Sequence, residues 1–170
     1  MKHESDKARE IMGCQRDEIE KCIKKFNVDR NRFYEVSKHS HKQIIKQIED
    51  AFVDKSNRWS KDIHWSNMGY YRPDLKCFMK TMDNWNWVNR LSEIIPSLCT
   101  SVYVLFEDAE TYESKYWLYE AYISELITIL NESALWGDFY IVSKKYEWLI
   151  SLNHHDVISC IGDSLRLDSL

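Results

Sequence analysis

The chain has 170 residues, of which 44% are hydrophobic, 14% aromatic and 29% charged, with only 4 Gly and 2 Pro. Disordered chains are poor in aromatics and collagen-like chains rich in Gly and Pro, so both classes are excluded and one packed domain over 1–170 is expected. A net charge of -4 and a pI near 5.9 lack the clustered basic footprint of a nucleic-acid binder.

Residues 7–26 predict an amphipathic helix, because Ala8, Ile11, Met12, Ile19, Cys22, Ile23 and Phe26 recur at spacings of three and four. Ser5 or Asp6 suits its start and Asn27 its stop. A second helix is predicted over 40–53, with Ile44, Ile45, Ile48, Ala51 and Phe52 on one face and Lys42, Lys46, Glu49 and Asp50 opposite. The intervening residues 29–39 read equally well as helix or as extended chain. Residues 54–83 hold Trp59, Trp65, Tyr70, Tyr71 and Phe78 without clear period, punctuated by Gly69 and Pro73. Their rings need burial or a ligand, so one or two short strands are expected there.

A third helix is predicted over 83–95, capped by Asp83 and stopped by Pro96, with Trp87, Val88, Leu91, Ile94, Ile95 and Leu98 buried. Next comes SVYVLFED at 101–108, apolar on both alternating faces, which predicts a central strand. Residues 114–131 predict a broad-striped helix lying on the sheet, with Trp117, Leu118, Ala121, Tyr122, Leu126, Ile129 and Leu130 apolar. Three strands follow at 138–143, 146–152 and 157–161, joined by Lys144-Lys145 and by the turn 153–156. The expected fold class is α+β. A helical N-terminal part (1–55) precedes a β-α-β-β-β section (85–163) that forms a mostly antiparallel sheet packed by helices.

The cysteines (Cys14, Cys22, Cys77, Cys99 and Cys160) are odd in number and form no CxxC pair, which fits reduced thiols better than a disulfide framework. The start, MKHESDKARE, has no apolar signal region. The most apolar stretch, 116–130, is interrupted by Glu120 and Glu125 and is shorter than the roughly 20 residues a membrane span needs. A soluble cytoplasmic protein without a membrane segment is expected.

Charge is unevenly spread. Residues 1–85 carry 18 Lys and Arg against 14 Asp and Glu, whereas residues 86–170 carry 5 against 13. The acidic half offers Glu107, Asp108, Glu110 and Glu113, with Trp136 as an aromatic anchor, as a surface for a basic protein partner. Of the seven tryptophans, Trp117 and Trp148 fall in regular elements and are expected in the core. Trp59, Trp65, Trp85 and Trp136 lie in or beside loops, where they could instead form a recognition surface or a homodimer interface.

The one polar cluster suited to chemistry is Asn153-His154-His155-Asp156. His154, His155 and Asp156 are the candidates for proton transfer. As metal ligands they would need Glu107 or Asp108, or the more distant His39, His41 or His64, to complete the set, because adjacent histidines on extended chain point apart. No HExxH, GxSxG, P-loop or dinucleotide fingerprint is present, and Cys160 in the apolar run VISCI reads as packing. No cofactor is implied, and a binding protein is favoured over an enzyme.

The stretch DFYIVSKKYEWLISLNHHDVISCIGD, with VYVLFED and KYWLYEAY upstream, resembles a group of small bacterial proteins of unknown function. They share a Tyr-Ile-Val, Glu-Trp-Leu and Asn-His-His-Asp arrangement near the C-terminus. The resemblance covers roughly residues 85–163 and implies no catalytic or ligand residues. Small acidic α+β proteins of this kind are also similar in type to immunity proteins of bacterial toxin systems, without a motif behind that likeness.

Overall fold

A computed structural model describes residues 15–56, 70–107, 116–134 and 137–170. In chain order the elements are α1 (Gln15–Phe26), β1 (Phe33–Glu35), α2 (Lys38–Phe52), β2 (Cys77–Thr81), α3 (Asn86–Asn89), α4 (Leu91–Ile94), β3 (Ser101–Glu107), β4 (Tyr116–Tyr122), α5 (Ile123–Glu132), β5 (Phe139–Ser143), β6 (Leu149–Leu152) and β7 (Val157–Ile161). A 3-10 turn closes the chain at Leu167–Ser169. The seven strands form one sheet in the order β1-β4-β3-β5-β6-β7-β2, and all six pairings are antiparallel. The fold is α+β, with β3 in the interior of the sheet.

Period-two alternation sorts the strand side chains into two layers. Val102, Val104 and Phe106 of β3 face one core, completed by Ile19 and Ile23 of α1, Trp87 and Leu91 of the short helices, and Leu126 and Ile129 of α5. Leu105 of β3 faces the other core with Leu118, Tyr140, Val142 and Leu149, covered by Ile48 and Phe52 of α2. Helix α1 stops where expected. Asn27 turns left-handed at φ 50°, and the Val28 amide donates back to the Ile23 carbonyl at 3.0 Å, closing the last turn.

Three expectations need correction. The helix predicted over 114–131 is a strand, β4, followed by the shorter helix α5. Tyr116 and Leu118 point into the α2 layer, and Trp117, Tyr119 and Ala121 into the other. Because both faces of β4 are apolar, its alternation imitates a wide helical stripe. Aromatic side chains on a strand paired on both sides by β1 and β3 decide the outcome.

The single helix predicted over 83–95 is two short ones, broken at Arg90, and its N-cap is Trp85 rather than Asp83. Asn84 stands in for the cap, its Oδ1 accepting the Asn86 amide at 2.9 Å. Beyond Pro96 the stripe is lost, so Leu98, expected in the core, is 94% exposed.

Finally, the sheet is not confined to 85–163. β1 arises from the segment left undecided at 29–39, and β2 from the irregular stretch 54–83. These two supply the edges of the sheet, so the helical N-terminal part contributes strand as well. The first 14 residues of the chain, including most of the apolar positions expected at the start of the first helix, lie outside the described residues.

Candidate interaction site at one end of the sheet

Strand register gathers four connections at one end of the sheet. Phe106 faces Phe139, Phe139 faces Leu152, and Thr81 faces Val157. Glu107 at the end of β3, Asp138 before β5, the turn 153–156 between β6 and β7, and residues 82–85 after β2 therefore lie together. The turn is built by its own polar residues. Asn153 Oδ1 accepts the amides of His155 and Val157, each at 3.0 Å. Asp156 adopts a left-handed φ of 58°, which Asp tolerates better than most side chains. The Met82 amide donates to the Asp156 carbonyl at 2.8 Å, tying residues 82–85 to the turn.

His154 is held by Asp138. Asp138 Oδ1 accepts from both the His154 backbone amide and the ring Nδ1, each at 2.9 Å. Tyr140 donates to the other carboxylate oxygen over a longer 3.5 Å. With its proton on Nδ1, the imidazole turns Nε2 away from Asp138. The His155 ring lies 4.0 Å from the His154 ring, centre to centre. Asp156 is not part of this pair. It lines a small cleft of about 100 Å³ with Asp83, Trp85 and Leu152.

Trp85 joins two concavities. It also walls a neighbouring cleft of about 270 Å³ formed with Leu130, Asn131 and Ser133. The indole is 40% exposed, yet it is braced from below by Phe139 at 6.1 Å and Trp87 at 6.5 Å, both near-parallel. An indole held rigidly with one face open can bind a partner with little loss of side-chain freedom.

The electrostatics of this end are one-sided. Among the described residues no Lys or Arg forms an ion pair with Asp83, Asp138 or Asp156. Several cations elsewhere are engaged. Arg16 meets Glu35 and stacks over Trp117, Arg30 meets Glu20, Arg32 meets Glu125 and stacks over Tyr122, and Lys144 meets Glu120. The Arg30 guanidinium holds the Glu20 carboxyl below the usual carboxylate range.

The residues singled out in the sequence distribute as follows. Glu107 is half-buried at this end, and its amide donates to the Asp138 carbonyl at 2.9 Å. Asp108, Glu110, Glu113 and Trp136 lie outside the described residues, as do His64, Trp59 and Trp65. His154, His155 and Asp156 share the turn, but their side chains go to different neighbours. Among the described residues no three His, Cys, Asp or Glu side chains converge as a metal site requires. His41 meets the Tyr116 carbonyl at 3.0 Å, and His39 is exposed. Cys22 and Cys160 are buried free thiols, and burial pushes Cys160 up to about 12, which keeps it protonated and unreactive. Trp148 is fully buried, whereas Trp117 is only partly so.

Asp138 and the site role of Asp83 were missed in the sequence, whereas Trp85 was among the tryptophans that could form a recognition surface and is exposed. The first was within reach. Once 138–143 and 146–152 are read as an antiparallel hairpin, the start of one strand must lie beside the end of the other. A larger cleft of about 380 Å³ opens at the far end of the sheet, between Pro96 and Tyr122. Its one cation, Arg32, is already engaged by Glu125 at 3.0 Å and by the Ser124 hydroxyl. Among the described residues no helix is long and apolar enough to cross a membrane.

No curated protein and no solved structure matches the chain. One family model does, and it extends well beyond the C-terminal segment that carries the resemblance noted in the sequence. Matched over residues 14–169, the chain belongs to the family of unknown function DUF6756.

Proposed function

We propose that the chain is a non-catalytic protein-binding module of the immunity or interaction type, whose acidic sheet end receives a basic segment of a partner protein. The observation that carries this reading is the cleft in which Asp83 and Asp156 flank the exposed indole of Trp85. A lysine or arginine side chain entering it would meet an aromatic face and carboxylates with which, among the described residues, no Lys or Arg pairs. These are the two groups that recognise such a cation. Glu107, Asp108, Glu110, Glu113 and Trp136 would widen the acidic field that steers the encounter.

The test is capture from lysate of the native host by immobilised protein, followed by titration of the captured partner against purified chain. A partner that binds the wild type and loses at least about tenfold in affinity to Asp83→Asn/Asp156→Asn/Trp85→Ala supports the reading. Affinity that also falls as salt rises from about 0.05 to about 0.5 M supports steering by charge. Equal binding by the triple variant contradicts it.

A second reading, an acid/base or metal-dependent enzyme centred on His154, His155 and Asp156, is favoured by one observation. Asp138 orients the His154 ring as a carboxylate orients a catalytic imidazole. Native mass spectrometry of protein purified without chelator tests it. A bound metal or small molecule that is lost in His154→Gln supports the enzyme, and a bare protein speaks for the binding module.

A further inference from the structure

The two edges of the sheet are finished differently. β1 is three residues long, its Glu35 is tied to Arg16, and Phe33 is fully buried. β2 is five residues long, and four of its five side chains are exposed. Two of these are large and apolar, Phe78 at 37% and Met79 at 62% exposure. Exposed edges are usually protected by charge. The one charged residue of β2, Lys80, turns its ammonium to the backbone oxygen of Leu170 at 3.1 Å. Among the described residues, β2 thus presents an outer edge that pairs with no strand and two exposed apolar side chains, with its single charge engaged within the chain.

We infer that β2 pairs antiparallel with β2 of a second copy of this chain across a two-fold axis at Met79, joining two seven-stranded sheets into one. The inference is independent of the acidic end. It rests on the register that the side chains permit. Directly opposed residues on paired strands share a face, so a two-fold pairing must centre on a residue. Centring on Phe78 sets Lys76 against Lys80, and centring on Lys80 sets Lys80 against its own copy. Both place like charges in direct opposition, which is destabilising. Centring on Met79 sets Met79 against Met79, Phe78 against Lys80 and Cys77 against Thr81. The Lys80 side chains then lie apart, each opposite a Phe78 ring, Lys76 falls opposite Met82, and all five pairs form. The acidic ends of the two copies point in opposite directions. A ladder this short makes a small interface, so the dimer is weak and depends on concentration.

Sedimentation equilibrium from about 5 to about 500 µM reads the association directly. The expected result is a monomer–dimer equilibrium that Met79→Glu weakens at least about tenfold by opposing two carboxylates across the axis, with unchanged circular dichroism. Thr81→Cys checks the register, because under mild oxidation it should link covalently to Cys77 of the second copy. A monomer at every concentration overturns the inference. So does a dimer indifferent to Met79→Glu, or one in which Thr81→Cys forms no link through Cys77.

Discussion

The two ends of the sheet are built from the same strands and use charge in opposite ways. At the end where β3 begins and β5 turns into β6, two cations are ion-paired. Arg32 meets Glu125, and Lys144 meets Glu120. The turn there is locked by packing, with Gly162 pressed against Trp148. At the other end, among the described residues, no Lys or Arg pairs with Asp83, Asp138 or Asp156; Asp138 holds His154, and Asp83 and Asp156 line a cleft beside an open indole. Compensated charge marks a part of the molecule that serves the fold. Uncompensated charge costs stability through mutual repulsion, and it persists more naturally where a partner completes it.

Perturbing the packed end should produce the largest effect. Gly162 has φ 115°, and a Cβ there would lie 2.5 Å from Trp148 Cβ and 2.7 Å from the Glu147 carbonyl oxygen. Gly162→Ala should therefore cost roughly 3 kcal/mol or prevent folding, as chemical denaturation would record.

Between the ends, Tyr71 lies against Ser151 at 2.6 Å, and burial pushes its phenol from an ordinary 10 up to about 12. The native state holds this proton more tightly than the unfolded chain does. Stability from this group is complete below pH 10 and should decline by roughly 2 kcal/mol as pH rises to about 12. Denaturation midpoints across that range should fall less steeply in Tyr71→Phe.

At the acidic end, Asp138→Ala removes the acceptor of both His154 bonds and should cost about 1–2 kcal/mol. The His154 amide should then exchange faster with deuterium. The smallest stability effect belongs to Glu125→Ala. Its pair with Arg32 is partly exposed and should be worth about 0.5 kcal/mol, a change in melting temperature near the limit of calorimetry. If Glu125→Ala proved more costly than Asp138→Ala, the contrast between the ends would fail.

Much of the sheet was legible in the sequence. β3 and the meander β5 to β7 announce themselves, because each is a short apolar run bounded by turn residues. β4 was not legible, because residues apolar on both faces fit a period of two and a wide helical stripe alike. β1 was open between helix and extended chain, and β2 was expected as a short strand within 54–83 but not located, for another reason. An edge strand of three or five residues buries little, and its pattern carries no clear apolar face. Of the site, the polar turn 153–156 stood out by composition. Its partners come from two other segments, Asp138 before β5 and Asp83 and Trp85 after β2, and only the strand register brings them together.

The central claim is that the acidic end recognises cationic side chains. Its most direct test is an NMR titration of the ¹⁵N-labelled chain with a short arginine-rich peptide and with a glutamine-substituted control. The account predicts that the arginine peptide shifts the Trp85 indole N–H and the amides of Asp156 and His154, that the control leaves them in place, and that Asp83→Asn/Asp156→Asn abolishes the effect. Shifts spread over the other acidic surfaces, or no shift at Trp85, would contradict it.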